Sequence, residues 1–155
     1  MRQAKAFLKG KLTQFQQEIA QLNHALQNQK SSFQEKEEEI YKELFEILDI
    51  FERLENSLQD KENKLDKTFQ SYVKSNRILH KKLMRFLKSR NIVQIEFPEN
   101  RAKMDYCKVT DTQEAANLEN ETILSVVKNG YIDNQRNITL RKAEVITVLN
   151  ANIKT

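Results

Sequence analysis

The sequence predicts an α+β protein with a long helical N-terminal part followed by a small β domain. Residues 1–90 of the 155-residue chain contain one glycine, Gly10, and no proline, the two residues that most strongly interrupt helices. Apolar residues in this part recur at intervals of three and four, which is the spacing of one helix face. After Asn91 the interval becomes two, and β-branched residues gather in short runs that are typical of strands.

The first 36 residues are predicted to form a coiled-coil stalk. Their apolar residues follow one another in alternating steps of four and three, the heptad pattern of a helix that packs along a partner helix. Gln29 and Lys36 interrupt this pattern, and the register then shifts between Lys36 and Leu44, which locally relaxes a supercoil. The stalk is therefore expected to end near residue 36. Its heptad positions are Leu8, Leu12, Phe15, Ile19, Leu22 and Leu26.

Residues 37–90 are predicted to form a helical hairpin that belongs to a dimeric four-helix bundle. A polar segment at 59–66 separates two amphipathic stretches, and Asp66 is a suitable N-cap for the second helix. A single hairpin would leave much of each apolar stripe in water, whereas two chains together would bury both. The predicted stripes are Ile40, Leu44, Ile47, Phe51, Leu54 and Leu58 in the first helix, and Leu65, Phe69, Tyr72, Leu79, Leu83 and Phe86 in the second.

Residues 91–155 are predicted to form the β domain, with strands near 92–95, 122–127, 138–140 and 145–149. A domain of this size is marginally stable unless it packs on another part of the molecule. Gly130 follows an asparagine, and Asn-Gly is a favoured hairpin pair where a positive φ is needed, so Gly130 is expected to be a turn glycine. The ring of Tyr131 is expected to pack while its hydroxyl bonds to water or to a backbone group.

The composition argues against an enzyme and against a cofactor or metal site. Two glycines in the whole chain cannot supply a glycine-rich phosphate loop. His24, His80 and Cys107 lie far apart, the histidines lack partners at metal-ligand spacing, and both are expected to be surface imidazoles. No nucleophile is paired with a base. We therefore expect no catalytic residue, no metal and no cofactor.

Localisation is predicted from cysteine content and hydropathy. The single cysteine excludes an internal disulfide framework, and the N-terminal segment lacks the apolar core of a secretory signal. No run of eighteen apolar residues is present, so no membrane span is expected. These features favour a cytoplasmic protein.

The second helix carries a basic stripe, defined by Lys74, Arg77, Lys81, Arg85 and Lys88, and residues 67–90 contain no acidic side chain. The simplest interpretation is a solubilising helix face. Docking onto an acidic protein, or nonspecific binding to the phosphates of nucleic acid or anionic lipid, remains open. Because few aromatic residues interleave with the basic ones, no specific nucleic-acid site is expected.

Several segments resemble the GrpE family of nucleotide exchange factors. In the β domain the segment Lys128–Arg136 reads KNGYIDNQR and is followed by Ala143, Val145 and Val148. Upstream, Leu48–Arg53 is similar to the family's Asp-x-Leu-Asp/Glu-Arg segment, and Leu87–Val93 resembles its Phe-Gly-Val stretch with Asn91 in place of glycine. The resemblance covers roughly residues 40–148. Two departures are the segment 102–109, where only the family's spacing survives, and two extra residues between Arg136 and Arg141.

The resemblance implies a homodimeric, parallel co-chaperone of the stress response. Such a protein binds the nucleotide-binding domain of a DnaK-type chaperone, opens its cleft and speeds ADP release. A structural coiled-coil dimer or adaptor without exchange activity is the alternative, and a binder that uses the basic stripe is a third possibility.

The family pattern also indicates candidate site residues. Arg53, Pro98, Val127 and Arg136 are the candidates for partner binding, and Gly130 with Tyr131 form a structural motif. Each contact candidate has a plainer alternative. Arg53 could pair with Glu46 or Asp49 on the bundle surface, Pro98 could end an edge strand, Val127 could be a core valine, and Arg136 could be a solvated charge.

Overall fold

The structure, a computed structural model, describes residues 2–59 and 66–150. It confirms the predicted α+β class, with a long N-terminal helix, a second helix and a small C-terminal β domain. The chain divides into two compact units, one ending at Ile40 and the other beginning at Tyr41. The elements in chain order are α1 (Arg2–Gln59), α2 (Lys67–Ser89), β1 (Ile92–Gln94), β2 (Cys107–Gln113), β3 (Ile123–Lys128), β4 (Tyr131–Asp133), β5 (Ile138–Arg141) and β6 (Ala143–Val148).

The first unit consists of helix α1 up to Ile40. Within this stretch Gly10 is part of the helix, because the neighbouring residues are strong helix formers and one glycine costs only about 1 kcal/mol relative to alanine. The six heptad side chains that the sequence singles out are all between 55% and 69% exposed. The apolar face of the stalk is therefore uncovered in the single chain.

In the second unit the remainder of α1 packs antiparallel against α2. Glu55 of α1 forms an ion pair of 2.7 Å with Arg77 of α2, whereas the earlier residue Phe45 packs in a cluster with the later residue Leu87. Asp66 occupies the predicted N-cap position, since its carbonyl accepts the first helical hydrogen bond, from Gln70 N at 3.0 Å. The predicted turn at 59–66 falls mainly on residues 60–65, which lie outside the described residues.

The stripe buried within the chain differs from the heptad stripe. Tyr41, Phe45 and Leu48 of α1, with Val73 and Leu87 of α2, are at most 4% exposed. Several positions of the predicted stripes remain exposed instead, because each helix carries two adjacent apolar stripes and the β domain packs on the shorter one. The exposed members are Ile40, Ile47, Leu54, Phe69, Tyr72, Leu79 and Phe86.

The six strands in the described part of the chain form two three-stranded sheets. One has the order β1-β4-β5 with antiparallel pairing, and the other has the order β2-β6-β3 with β2 parallel to β6. The four predicted strands are present as β1, β3, β5 and β6, whereas β2 and β4 were not predicted. Strand β2 lies at a sheet edge and only Cys107 and Val109 of its residues face inward, so it lacks a strong apolar alternation. Strand β4 is three residues long.

A small core holds the second sheet together around Cys107, Ala143 and Val145. The Cys107 thiol donates a hydrogen bond to the carbonyl of Lys103 at 3.2 Å. Burial raises the pKa of this thiol above its usual value, and the thiolate that reacts with oxidants and metals is therefore disfavoured. Cys107 thus acts as a core residue.

Gly130 is required for a reason other than the predicted one. It connects β3 to β4, which belong to different sheets, and no glycine among the described residues has a positive φ. The prediction that Gly130 is a hairpin-turn glycine with a positive φ is therefore wrong. A Cβ at this position would lie 2.5 Å from Ala143 N and 2.9 Å from Arg141 O. Only glycine allows the backbone of the β5–β6 segment to approach so closely.

Asn91 ends helix α2 in the left-handed conformation, with a φ of 62°. Its backbone N–H bonds to Lys88 O at 3.0 Å. Asparagine tolerates this conformation better than other residues with a side chain. The conformation of Asn91 therefore ends α2 and leads the chain into β1.

Candidate functional site

An open groove separates helix α1 from strand β3 and contains two of the four candidate contact residues. Its volume is about 480 Å³, and its walls include Arg53 on α1 and Val127 on β3. Ile50 and Val126 supply further apolar surface, while Glu46, Lys128 and Glu144 supply charges of both signs. An open surface that is partly apolar and partly charged suits a protein partner. A small molecule is usually bound in a more enclosed pocket.

Arg53 and Val127 are both available in the single chain. Arg53 is exposed, and among the described residues no ion pair joins it to Glu46 or Asp49; the plainer interpretation as a bundle ion pair is not realised. Val127 is 56% exposed, so it is not a core valine. Both side chains can therefore contact a partner that enters the groove.

Behind the groove, Arg141 of β5 joins the β domain to helix α1 through an ion pair with Asp49, which we name the Asp49–Arg141 clamp. Arg141 Nη1 and Nη2 donate to the two carboxylate oxygens of Asp49 at 2.8 and 2.6 Å. Nε and Nη2 also donate to the carbonyl of Asn129 at 3.0 and 2.8 Å. The planar fork of an arginine matches a carboxylate in this bidentate geometry. Both side chains are largely buried, at 18% and 9% exposed.

Two further polar contacts span the same joint. Lys128 Nζ lies 3.5 Å from Asp49 Oδ2, and Asn129 Nδ2 donates to Glu52 Oε1 at 2.5 Å. Asp49, Glu52 and Arg53, which lie within about one turn of α1, therefore face the segment that contains Val127. The groove and the clamp therefore lie on the same side of helix α1.

An aromatic pair completes the joint from the apolar side. The rings of Phe45 and Tyr131 stack with centroids 4.1 Å apart and an interplanar angle of 2°, and the Arg141 guanidinium carbon lies 5.3 Å from each centroid. The ring of Tyr131 packs as predicted, but its buried hydroxyl has no hydrogen-bond partner among the described residues. Burial, followed by the nearby charge of Glu52, raises the pKa of Tyr131 above its usual value. Its hydroxyl therefore stays neutral.

The other two candidate contact residues lie elsewhere. Pro98 is exposed at a turn closed by a hydrogen bond of 2.9 Å from Asn100 N to Phe97 O, after β1 has ended. Arg136 lies in the β4–β5 turn, where its Nε donates to Asp133 Oδ2 at 2.6 Å. Although burial alone would raise the pKa of Asp133, hydrogen bonds from the Arg136 side chain and from the N–H groups of Arg136 and Gln135 hold that pKa below its usual value.

The histidine and basic-stripe predictions have mixed outcomes. His80 is not a free surface imidazole, because its ring lies 6.0 Å from that of Phe51 at the α1–α2 interface and its Nε2 is buried. Arg77 of the basic stripe bonds to Glu55, whereas Lys74, Lys81, Arg85 and Lys88 are exposed. No metal-ligand group of three or more side chains occurs within residues 2–59 and 66–150.

The clamp residues were missed at the sequence level. Asp49 and Arg141 appear in the sequence only as a charge within a helix and a charge at a strand end. One signal was available, since Asp49 directly follows the buried Leu48 and lies one turn after Phe45. A carboxylate that becomes buried beside an apolar stripe requires a cationic or hydrogen-bonding partner, but spacing alone could not identify a partner 92 residues away.

The family model GrpE matches residues 2–148 of the chain. A search of curated proteins found no match. Within the described part of the chain, neither helix has the length and apolar character needed to cross a membrane.

Proposed function

We propose, since this chain belongs to the GrpE family, that it is a nucleotide exchange factor which binds the nucleotide-binding domain of a DnaK-type chaperone and promotes ADP release. Members of this family are co-chaperones rather than catalytic enzymes, and membership supports an exchange role in general. The observation that carries the specific proposal is the groove in which Arg53 and Val127 face a common space. These two residues come from different elements, so they can contact two parts of one partner.

The proposed mechanism requires no bond to be broken. A partner domain with an open cleft would fit both walls of the groove, whereas the closed, ADP-bound domain would fit them less well. A ligand that prefers the open state shifts the population toward it. By linkage, the factor by which this protein weakens ADP binding equals the factor by which ADP weakens binding of this protein. Within this scheme Pro98 is a proposed further contact, and Arg136 is proposed to support the β4–β5 turn that presents the domain.

The proposed assembly is a parallel homodimer in the cytoplasm. The exposed heptad side chains of α1 and the exposed stripe of α2 form long apolar faces, which monomeric proteins rarely leave in water. A second copy in the same direction presents the same heptad pattern in the same register. Two hairpins would then combine into a four-helix bundle, with residues 1–36 as a stalk and residues 37–90 as the bundle.

The exchange activity can be tested with the DnaK-type chaperone of the same organism loaded with fluorescent ADP. Addition of this protein together with excess ATP is expected to accelerate the fluorescence change that reports ADP release. Unchanged release with each such chaperone of that organism would refute the proposal. Binding without acceleration would instead favour the structural adaptor.

The variant Arg53→Ala is expected to raise the concentration for half-maximal acceleration about tenfold, equivalent to about 1.4 kcal/mol, because an arginine contact at the centre of an interface is lost. Arg85→Ala is the matched control, since Arg85 is also an exposed helical arginine but lies on the basic stripe of α2. Equal effects of the two substitutions would contradict the assignment of Arg53 to the contact surface.

A further inference from the structure

The Asp49–Arg141 clamp is a bidentate polar link between the β domain and helix α1. Arg141 makes two hydrogen bonds to Asp49 on α1 and two to the carbonyl of Asn129, which precedes β4. It thereby holds three separate stretches of chain, α1, the β3–β4 connection and β5, at fixed distances. The Phe45–Tyr131 stack lies against the same guanidinium.

Burial of an ion pair is a poor way to gain stability. Removing two charges from water costs several kcal/mol for each ion, and a well-packed apolar pair of similar volume is often as stabilising or more so. A bidentate arginine–carboxylate pair, however, has one preferred geometry, whereas apolar contacts tolerate sliding and rotation. The physical advantage of the clamp is therefore a defined orientation.

That orientation sets the width of the groove. Asp49 and Arg53 lie four residues apart on α1, and Asp49 also contacts Lys128, the neighbour of Val127. The clamp is thus located directly behind the two walls that carry Arg53 and Val127. If the clamp loosened, each wall would keep its own side chains while the distance between the walls would vary.

We propose that Asp49 and Arg141 are positioning residues for exchange, which convert binding of the partner into preference for one width of its cleft. This inference rests on the proposed exchange function. A protein with a rigid groove binds the open, nucleotide-free partner and rejects the ADP-bound one. A protein with a loosened groove adapts to both, so it binds but couples weakly to ADP.

The test is the coupling ratio, defined as the dissociation constant for the chaperone with saturating ADP divided by that without nucleotide. In Arg141→Lys the charge is kept while the bidentate fork is lost. The ratio is expected to fall about five- to tenfold, together with the maximal rate of ADP release. The dissociation constant without nucleotide is expected to change less than about threefold, because the side chains that contact the partner, Arg53 and Val127, are not substituted.

Arg77→Lys is the matched control, because it removes the fork of another partly buried ion pair, which joins α1 to α2 and does not involve the β domain. Its coupling ratio should equal that of the unsubstituted protein. Asp49→Asn provides a second test of the clamp and decides the matter if Arg141→Lys fails to unfold cooperatively. A folded clamp variant with an unchanged ratio, or with equal losses of affinity in both nucleotide states, would overturn the inference.

A measurement without the chaperone separates this inference from the proposed function. Nitroxide labels at Glu43→Cys on α1 and Lys108→Cys on β2, in a Cys107→Ala background and diluted with unlabelled protein, report the spread of distances between helix and β domain. Arg141→Lys is expected to broaden that distribution. A ratio near one for the unsubstituted protein would refute the exchange function alone, whereas an unchanged distribution in Arg141→Lys would refute the positioning role.

Discussion

At the scale of single residues, the segment from Lys128 to Arg141 is shaped by close backbone contact and buried charge. Gly130 lies where a side chain would collide with the backbone of Ala143 and Arg141. Asp133 accepts hydrogen bonds from the backbone N–H groups of Gln135 and Arg136. These residues connect the two sheets and close the β4–β5 turn, so they hold Tyr131 and Arg141 in place for contact with α1.

Gly130→Ala is expected to destabilise the protein by about 1–3 kcal/mol or more, as is usual for overpacking at a tightly packed site. Two of the three nearest atoms are backbone, at 2.5 and 2.9 Å, so a strand must shift to make room. Urea unfolding measures the change. Gly10→Ala is the control and should be neutral or stabilising, because nothing beyond the backbone of its own helix lies within 4 Å of its Cβ position.

Asp133→Asn is expected to lower the free energy of unfolding by about 1.5 kcal/mol at pH 7, since charge-assisted hydrogen bonds are lost. The folded-state pKa of Asp133 is depressed, so its stabilising contribution is present above its unfolded pKa of about 3.9 and is lost as pH falls through the folded pKa. Urea unfolding of the two proteins at pH 7 and at pH 3 should therefore show a difference that narrows on acidification. A difference that grows at low pH would contradict this assignment.

At the scale of elements, helices α1 and α2 each carry two adjacent apolar stripes with different roles. One stripe, including Phe45, Leu48 and Leu87, is buried against the β domain within the chain. The other, including Ile47 and Leu79, is exposed. The heptad pattern predicts that the longer stripe is the packed one, whereas in the structure the shorter stripe packs on Tyr131 of β4.

The adjacent residues Leu48 and Ile47 allow the two stripes to be separated. Leu48→Ala is expected to cost about 2–5 kcal/mol of stability, because it leaves a cavity beneath Phe45 and Tyr131. Ile47→Ala is expected to increase the dissociation constant of the proposed dimer with a smaller effect on folding. Unfolding at several protein concentrations, with sedimentation equilibrium, measures both. An unchanged dissociation constant in Ile47→Ala would show that this stripe is not the dimer interface.

At the scale of the whole molecule, the exposed apolar faces make self-association the central expectation. Sedimentation equilibrium at micromolar concentration should give a mass twice the 18.3 kDa of the chain. The physical reason is that the heptad side chains of α1 are more than half exposed among the described residues of the chain. A monomeric mass at this concentration would contradict both the dimer and the two-chain bundle. Arg85→Ala, outside the apolar stripes, should leave the mass unchanged.

The sequence by itself determined the order and class of the elements. The scarcity of glycine and proline up to Arg90 determines long helices, and the β-branched runs determine four of the six strands, because these are local properties of the chain. The motif around Gly130 and Tyr131 was also visible as a pattern, and the resemblance to the family singled out Arg53 and Val127 as candidate contact residues.

Only the tertiary structure decided which faces pack and which side chains meet. It placed Arg53 and Val127 on one groove, left Pro98 and Arg136 outside it, and joined Asp49 to Arg141 across 92 positions of sequence. It also showed that glycine is needed at position 130 for a close backbone approach and not for a positive φ. Helix and strand preferences act over a few residues, whereas these contacts depend on long-range packing of the β domain on α1, which no local spacing specifies.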